Sequence, residues 1–177
     1  GIVEGSRVLR ERNCQITDGR LQGAGQRSKP EIADYILVYK NTKLAVIEAK
    51  KRDLPVTEGV GQAKKYAGKL QLRFTYSTNG LGIYQIDMQE GGEGEIEAYP
   101  TPEELWQMTF AEENAWRDRF SSVPFEDKGG HWTPRYYQDL AIQRTLEAMT
   151  AGEDRILLTL ATGTGKTAIA FQIAWKL

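Results

Sequence analysis

Two carboxylates and one lysine stand in neighbouring apolar runs in the first half of the chain. Asp34 lies in the run 32–39, and Glu48 and Lys50 end the run 44–50. Two carboxylates can hold a hard cation such as Mg²⁺, which keeps several waters and can also bind a phosphate. Such a metal polarises the phosphate and lowers the pKa of a bound water, while Lys50 could orient that water or stabilise the developing charge. The alternative for the same residues is a salt bridge at an exposed strand end.

A glycine-rich stretch in the second half is typical of a phosphate-binding loop. It follows the apolar run 156–160, precedes an apolar segment, and consists of Ala161, Thr162, Gly163, Thr164, Gly165, Lys166 and Thr167. Glycines let backbone N–H groups surround the β-phosphate of ATP, and the N-terminus of the following helix adds its dipole. Lys166 would then reach the β- and γ-phosphates, and Thr167 would hold Mg²⁺.

The elements around the first group form a mixed α/β pattern. Strands are predicted at 32–39 and 44–50, joined by a hairpin connection over 40–43; the pattern continues with a helix at 58–70 and strands at 74–77, 81–88 and 95–99. Alternation along the second strand places Leu44, Val46, Glu48 and Lys50 on one face. Closing the hairpin then brings Asp34 opposite Glu48 or Ala49.

The second half is predicted to be helical around one buried strand. A helix starts after Thr101, whose side chain can cap it, and Trp106, Phe110 and Trp116 are expected to be docking aromatics. Further predictions are a linker at 121–130, helices at 136–149 and 166–176, and a buried strand at 155–160. We therefore expect a first domain over 1–100, a helical linker over 101–130 and the start of a second domain over 131–177.

Charge and cysteine content narrow the setting. Nine Lys or Arg residues lie between Lys40 and Arg73, against three acids, although the net charge is −1. This local excess suits a phosphate backbone, but a solvated face explains it equally well. The single cysteine, Cys14, excludes an internal disulfide and predicts a packed thiol in a reducing, cytoplasmic setting. No stretch approaches the length of a membrane span, so no membrane partner is expected.

With Gln62 and Tyr66 added, the first group resembles a known nuclease family. Asp34, Glu48-x-Lys50 and Gln62-x-x-x-Tyr66 are similar to the PD-(D/E)xK nuclease core with the Gln-x-x-x-Tyr motif of its RecB-like branch. The resemblance implies a metal-dependent DNA phosphodiesterase with a restriction-endonuclease-like mixed sheet flanked by helices. It implies that Gln62 and Tyr66 contact DNA, in a region where Lys51 and Lys64 add positive charge. The family usually has a Glu on a preceding helix, which this sequence does not place.

The phosphate loop resembles that of superfamily 2 helicases, where Thr-Gly-x-Gly-Lys-Thr is usual. Gln138 is similar to the glutamine of that superfamily's Q motif, which reads adenine, although a plain helix start after Pro134 is an equal alternative. The resemblance implies the beginning of a RecA-like α/β motor domain. Its Walker B motif would lie beyond Leu177, so this chain alone is not expected to hydrolyse ATP.

Nuclease motifs ahead of such a motor resemble the restriction (R) subunit of type I restriction–modification enzymes. The stretches 16–20, 33–35, 46–50, 76–80 and 161–167 carry this resemblance. It implies Mg²⁺ and ATP as cofactors, and double-stranded DNA and the methylation and specificity subunits as partners. Two alternatives stay open: another helicase–nuclease, such as a type III restriction or DNA repair protein, and a degenerate nuclease fold that only binds DNA.

Overall fold

The computed structural model describes residues 4–17, 19, 26 and 28–177, so part of the stretch 16–20 lies outside the described residues. The chain divides into two compact units. The first contains the described residues up to Tyr39 together with Lys43–Ala111, and the second contains Lys40–Thr42 and Glu112–Leu177. The domain limits expected at residues 100 and 130 stay a prediction.

The described residues of the first unit form strands and two α-helices around a central sheet. The strands are β1 (Ser6–Arg10), β2 (Gln15–Thr17), β3 (Glu31–Ile32), β4 (Tyr35–Tyr39), β5 (Thr42–Ala49), β6 (Phe74–Thr78), β7 (Ile83–Asp87) and β8 (Glu93–Ile96). The helices are α1 (Val60–Leu70) and α2 (Pro102–Thr109), with short 3-10 helices at Glu11–Asn13 and Val56–Gly59. The mixed α/β fold expected from the sequence is confirmed.

The main sheet has the strand order β1-β4-β5-β6-β7-β8, and β2 pairs with β3 separately. β5 and β6 run parallel, whereas β1–β4, β6–β7 and β7–β8 are antiparallel. A parallel pair needs a crossover connection, and α1 supplies it. The hairpin connection predicted over 40–43 is shorter than expected: it turns at Lys40 and Asn41, both with positive φ (46° and 56°), and β5 begins at Thr42. Two positive φ values suit a two-residue turn between twisted strands.

Helices cover both faces of this sheet. α1 buries Ala63, Tyr66, Ala67 and Leu70, and the last three belong to one core cluster. That cluster also holds strand residues and the fully buried Cys14, so the predicted packed thiol is confirmed. α2 packs Leu105 and Trp106 into a second cluster with residues of β4, β5 and β6. β5 is therefore buried on both faces, as befits a central strand.

The local signals around α2 and β8 had different outcomes. Thr101 caps α2 through a capping box with Glu104, as its sequence predicts. β8 spans Glu93–Ile96 instead of 95–99, because the preceding turn closes early: Gly91 has a positive φ of 78° and the N–H of Asp87 donates to the Gly92 carbonyl. Strand pairing with β7 therefore begins two residues sooner than expected.

The second unit consists of α3 (Ala115–Ser122), α4 (Tyr136–Thr150) and α5 (Lys166–Lys176) packed around a small core. That core contains Phe120, Ile142, Leu146 and Ile169. The predicted helices at 136–149 and 166–176 are confirmed. Part of the predicted linker instead belongs to α3, and Trp116, expected to dock, is 52% exposed.

The buried strand predicted over 155–160 is wrong. Within the described residues of the second unit this segment has no strand pairing, and Leu157 is 90% exposed. Backbone groups of an extended segment need a neighbouring strand to complete a ladder, and the described residues of this unit form none.

No helix among the described residues combines the length and apolarity that crossing a membrane requires.

Candidate active site and phosphate-binding loop

The C-terminal end of β5 holds a buried carboxylate and its ammonium partner. Glu48 is only 3% exposed, and the Lys50 Nζ donates to Glu48 Oε1 at 2.8 Å. The same Nζ donates to Gln62 Oε1 on α1 at 2.9 Å. Glu48 and Lys50 are therefore anchored to the helix that crosses over this end of the sheet.

Asp34, which immediately precedes β4, meets the same end of β5. Its Oδ2 accepts a hydrogen bond from the Ala49 N–H at 2.7 Å. The sequence predicted Asp34 opposite Glu48 or Ala49, and the structure joins Asp34 to Ala49 through this side-chain hydrogen bond. The structure thus brings together Asp34, Glu48 and Lys50, the three residues expected to act in catalysis.

The surroundings shift the ionisation of Glu48 and Lys50. Burial raises the pKa of Glu48 above its usual value; the Lys50 hydrogen bond opposes this, and the nearby Asp34 carboxylate adds to it. The hydrogen bond to Glu48 raises the pKa of Lys50. Lys50 is therefore a fixed cation at neutral pH, while the charge on Glu48 is costly without a further positive partner.

One atom of this cluster indicates what that partner would be. Glu48 Oε2 is buried and is without a hydrogen-bond partner among the described residues. A buried carboxylate oxygen without a partner is expensive, and a hard cation held between it and Asp34 would satisfy it. The described residues contain no cluster of three or more His, Cys, Asp or Glu suited to a metal. The two carboxylates fit Mg²⁺, which binds few protein ligands and keeps its waters.

Gln62 and Tyr66, the expected DNA contacts, extend the same hydrogen-bonded chain. Gln62 Nε2 donates to the Tyr66 hydroxyl at 2.8 Å, while the other end of the amide accepts from Lys50. Tyr66 is only 6% exposed and belongs to the core beneath α1. The structure therefore connects both residues to Lys50.

The two lysines expected near DNA lie in different environments. Lys51 is exposed immediately after Lys50, in the loop that leaves β5. Lys64 lies on α1 and forms an ion pair with Glu93 of β8. Its charge is therefore partly neutralised within the first unit, which the linear charge count did not indicate.

Sequence reasoning missed two residues that lie beside Glu48, namely Gly59 and Ser77. Gly59 is buried at the end of the 3-10 helix Val56–Gly59, and Ser77 is the β6 residue in register with Glu48. A glycine directly before a helix and a serine within a strand are too common to be distinctive. Only the close approach of the Gly59 backbone to the side chains of Glu48 and Ser77 in the folded chain reveals them.

The candidate phosphate-binding loop has the backbone that its glycines predict. Gly163 and Gly165 have φ values of 80° and 83°, the left-handed region that favours glycine. The Thr164 hydroxyl donates to the Ala161 carbonyl at 2.7 Å. α5 starts at Lys166, so Lys166 and Thr167 are exposed at a helix N-terminus, where anions are favoured.

Gln138 lies directly against this loop. Its side chain is 7% exposed; Nε2 donates to the Thr164 carbonyl at 2.9 Å, and Oε1 accepts from the Arg135 N–H at 3.0 Å. A Cβ added to Gly165 would lie 2.5 Å from Gln138 Nε2. Gln138 therefore connects the start of α4 to the loop, and adenine recognition by this residue stays a prediction.

Comparison with known proteins is consistent with both sites. The family model for the second domain of the type I restriction enzyme EcoKI endonuclease subunit matches residues 3–102. The model described as type III restriction enzyme, res subunit, matches residues 131–177. The first match covers more than half of the chain and includes every residue of the carboxylate–lysine cluster.

Two curated relatives and one solved structure are similar to this chain. The chain is 36% identical to the type I restriction enzyme EcoAI endonuclease subunit of Escherichia coli, over 92% of this chain and 22% of that relative. It is 25% identical to the EcoKI endonuclease subunit of Escherichia coli (strain K12), over 88% of this chain and 17% of that relative. A fragment structure assigned as an HsdR subunit of a type I restriction enzyme from Vibrio vulnificus YJ016 superposes with a TM-score of 0.82 at 38% identity, covering 98% of this chain and 34% of that one.

The chain therefore belongs to the type I restriction enzyme endonuclease (HsdR) subunit family, which confirms the resemblance drawn from its motifs. The curated relatives are named as endonuclease subunits, that is, as nucleases. The chain spans about a fifth of the length of those relatives, 22% and 17%.

Proposed function

We propose that this chain carries the DNA-cleaving centre of a type I restriction subunit and the first part of its ATP-driven motor. The whole subunit would cleave double-stranded DNA with Mg²⁺ and translocate it with ATP. The observation that carries the proposal is the convergence of Asp34, Glu48 and Lys50 around a buried carboxylate oxygen that has no partner among the described residues.

Asp34 and Glu48 would hold the metal ion, which when bound supplies Lewis acidity and neutralises charge at the scissile phosphate. Their placement is supported by the backbone: the Ala49 N–H fixes Asp34 beside the strand end that carries Glu48. Both carboxylates lie at adjoining strand ends, so the two can approach one metal ion without a rearrangement of the sheet.

Lys50 would act as a fixed positive charge for the phosphate. Its Nζ has three protons, of which Glu48 and Gln62 occupy two. The third can donate to a phosphate oxygen or to the attacking water. Since its ion pair raises the pKa of Lys50, the group is a hydrogen-bond donor and not a general base at neutral pH.

DNA would approach along α1 and the loop after β5. Lys51 and Lys64 would contribute positive charge there, and Gln62 and Tyr66 would contact DNA near the cut. In the second unit, Gly163, Thr164, Gly165, Lys166 and Thr167 would bind the phosphates and Mg²⁺ of ATP, with Gln138 beside them. The methylation and specificity subunits would supply target recognition in a cytoplasmic assembly.

Metal binding is the first test of the cleaving centre. We expect calorimetry with Mn²⁺ or Mg²⁺ to show binding to this chain, loss of binding in Glu48→Ala, and unchanged binding in Glu97→Ala, which alters an exposed carboxylate. Equal binding by both variants would place the metal elsewhere. Binding by neither the wild type nor the variants would favour a nuclease fold that serves only to bind DNA.

Separate variants in the full-length subunit test the two activities. Lys50→Ala should abolish DNA cleavage and leave ATP hydrolysis intact, because Lys50 and the phosphate loop lie in different compact units. Lys166→Ala should stop ATP-driven translocation and, since cutting depends on it, restriction as well. Loss of ATP hydrolysis in Lys50→Ala would contradict the assignment of two separate sites.

A further inference from the structure

The 3-10 helix Val56–Gly59 lies directly on the ends of β5 and β6. The Ser77 hydroxyl of β6 donates to the Val56 carbonyl at 2.6 Å, which fixes the start of this turn to the sheet. Glu48 and Ser77 are cross-strand neighbours in the parallel register. Their side chains therefore share the sheet face on which the turn rests.

Gly59 ends this turn at a distance that leaves no room for a side chain. A Cβ at position 59 would lie 2.6 Å from Ser77 Oγ, 3.1 Å from Glu48 Cγ and 3.4 Å from Glu48 Cβ. The first distance is shorter than side-chain atoms tolerate, and the second requires Glu48 to give way. The backbone of Gly59 thus closes over the aliphatic part of Glu48.

The conformation of Gly59 does not explain why the residue is glycine. Its φ and ψ of −84° and −8° are accessible to any residue. Gly61 and Gly68, on the same helix, meet nothing within 4 Å of an added Cβ. The requirement at position 59 is therefore the close contact with Glu48 and Ser77.

Ser77 is fully buried and its hydroxyl is used by the Val56 carbonyl, so it cannot rotate away without losing a buried hydrogen bond. Gly59 and Ser77 restrict the aliphatic part of Glu48, while Lys50 holds its Oε1. The other carboxylate oxygen, Oε2, is buried and is without a hydrogen-bond partner among the described residues.

We propose that Gly59 and Ser77 are positioning residues that fix the side chain of Glu48 for metal binding. The functional part of this proposal rests on the metal-dependent cleavage proposed above. Gly59 acts through shape, by excluding other positions of the Glu48 side chain, and Ser77 acts by holding the turn at that distance.

Four variants of this chain test the proposal: Gly59→Ala, Ser77→Ala, the double variant, and Gly61→Ala as the matched control. Mn²⁺ affinity is measured by calorimetry well below the melting temperature of each. Gly59→Ala should weaken Mn²⁺ binding by about 10- to 100-fold, the usual effect of disturbing the support of a ligand. Gly61→Ala should bind as the wild type does, because its added methyl group meets nothing.

The double variant separates a specific contact from general damage. Removing the Ser77 hydroxyl relieves the shortest of the three contacts, so Ser77→Ala should restore part of the affinity lost in Gly59→Ala. Ser77→Ala alone only removes an atom and should fold; we expect it to weaken Mn²⁺ binding severalfold by releasing Val56. Wild-type affinity in both single variants would overturn the proposal, as would a double variant that is worse than the two losses combined.

Crystal structures of the metal-free wild type and of Gly59→Ala give a readout that does not depend on the metal. The separation of Glu48 Oε1 and Lys50 Nζ, 2.8 Å in the wild type, should lengthen in Gly59→Ala. An unmoved Glu48 would overturn the proposal; if Gly59→Ala does not fold, the same measurement on Ser77→Ala decides. A wild type that binds no Mn²⁺ refutes the proposed function, whereas these structures still show whether Gly59 and Ser77 position Glu48.

Discussion

Replacing Glu48 by Gln should stabilise the metal-free protein while it destroys the proposed metal site. Glu48 is 3% exposed, its Oε2 has no partner among the described residues, and burial raises its pKa. Gln keeps the shape and removes the buried charge. Its amide nitrogen can donate to the Asp34 carboxylate, which is close enough to raise the pKa of Glu48 through a hydrogen bond.

The magnitude follows from two opposing terms. A buried acceptor left without a partner costs about 1–3 kcal/mol. Gln keeps an oxygen acceptor for Lys50, so the variant loses only the charge part of that hydrogen bond, which is about 1 kcal/mol. We therefore expect the free energy of unfolding of Glu48→Gln at pH 7 in EDTA to exceed that of the wild type by up to about 2 kcal/mol.

The pH dependence has a definite sign. Because the folded pKa of Glu48 lies above its ordinary value of 4.5, the folded protein binds more protons than the unfolded chain between these two values. The stability of the wild type therefore falls as the pH rises through that window and stays low above it. Glu48→Gln has no proton to lose there and should lack this part of the slope.

The assay is urea unfolding followed by NMR of the sheet amides in the first unit, in EDTA and in Mg²⁺, with Glu97→Gln as the exposed control. Mg²⁺ at about 100 times its dissociation constant should stabilise the wild type by about 2.7 kcal/mol and Glu48→Gln not at all. A Glu48→Gln variant that is no more stable than the wild type at pH 7 in EDTA would refute the reasoning. So would a variant that keeps the full pH slope.

Two further substitutions test the hydrogen-bonded chain and the phosphate loop. Tyr66→Phe removes only the hydroxyl that Gln62 Nε2 binds; single-turnover cleavage by the full-length subunit should slow severalfold while the free energy of unfolding changes by less than about 1.5 kcal/mol, and unaltered cleavage would mean that Tyr66 only packs the core. Gly165→Ala places a Cβ 2.5 Å from Gln138 Nε2 and should abolish binding of an ATP analogue by the full-length subunit. Gly152→Ala has the same kind of positive φ, 84°, and meets no atom within 4 Å, so it should bind the analogue normally; equal losses in both variants would implicate backbone strain instead.

The sequence predicted those features whose signals are local. The hairpin turn at Lys40 and Asn41 and the cap at Thr101 depend on a few adjacent residues. The start of α5 at Lys166 depends on the glycines before it. A short turn and a two-residue alternation limit which residues of a hairpin can lie opposite each other, so they predicted that Asp34 lies near the end of β5. The particular contact, from the Ala49 N–H to Asp34, is made by the Asp34 side chain in the folded structure.

The structure differs from the predictions where the outcome depended on a partner elsewhere in the chain. The segment 155–160 has the composition of a buried strand, but composition cannot supply the neighbouring strand that would bury it, and Leu157 is exposed. The charge count along the sequence treated Lys64 as a free positive charge, whereas in the structure it forms an ion pair with Glu93 of β8. In both cases the deciding group lies outside the local pattern.

What the sequence by itself determined is the set of candidate functional groups: two carboxylates, a lysine and a glycine-rich loop, each with a predicted element beside it. What only the tertiary structure decided is how deeply these groups are buried and which residues contact them. The Oε2 of Glu48 is buried and without a hydrogen-bond partner among the described residues, and only the folded structure shows this. Gly59 matters because a crossover connection returns within van der Waals distance of Glu48 and Ser77. Such contacts join residues distant in sequence, and they arise only when the chain packs to the density of a protein interior.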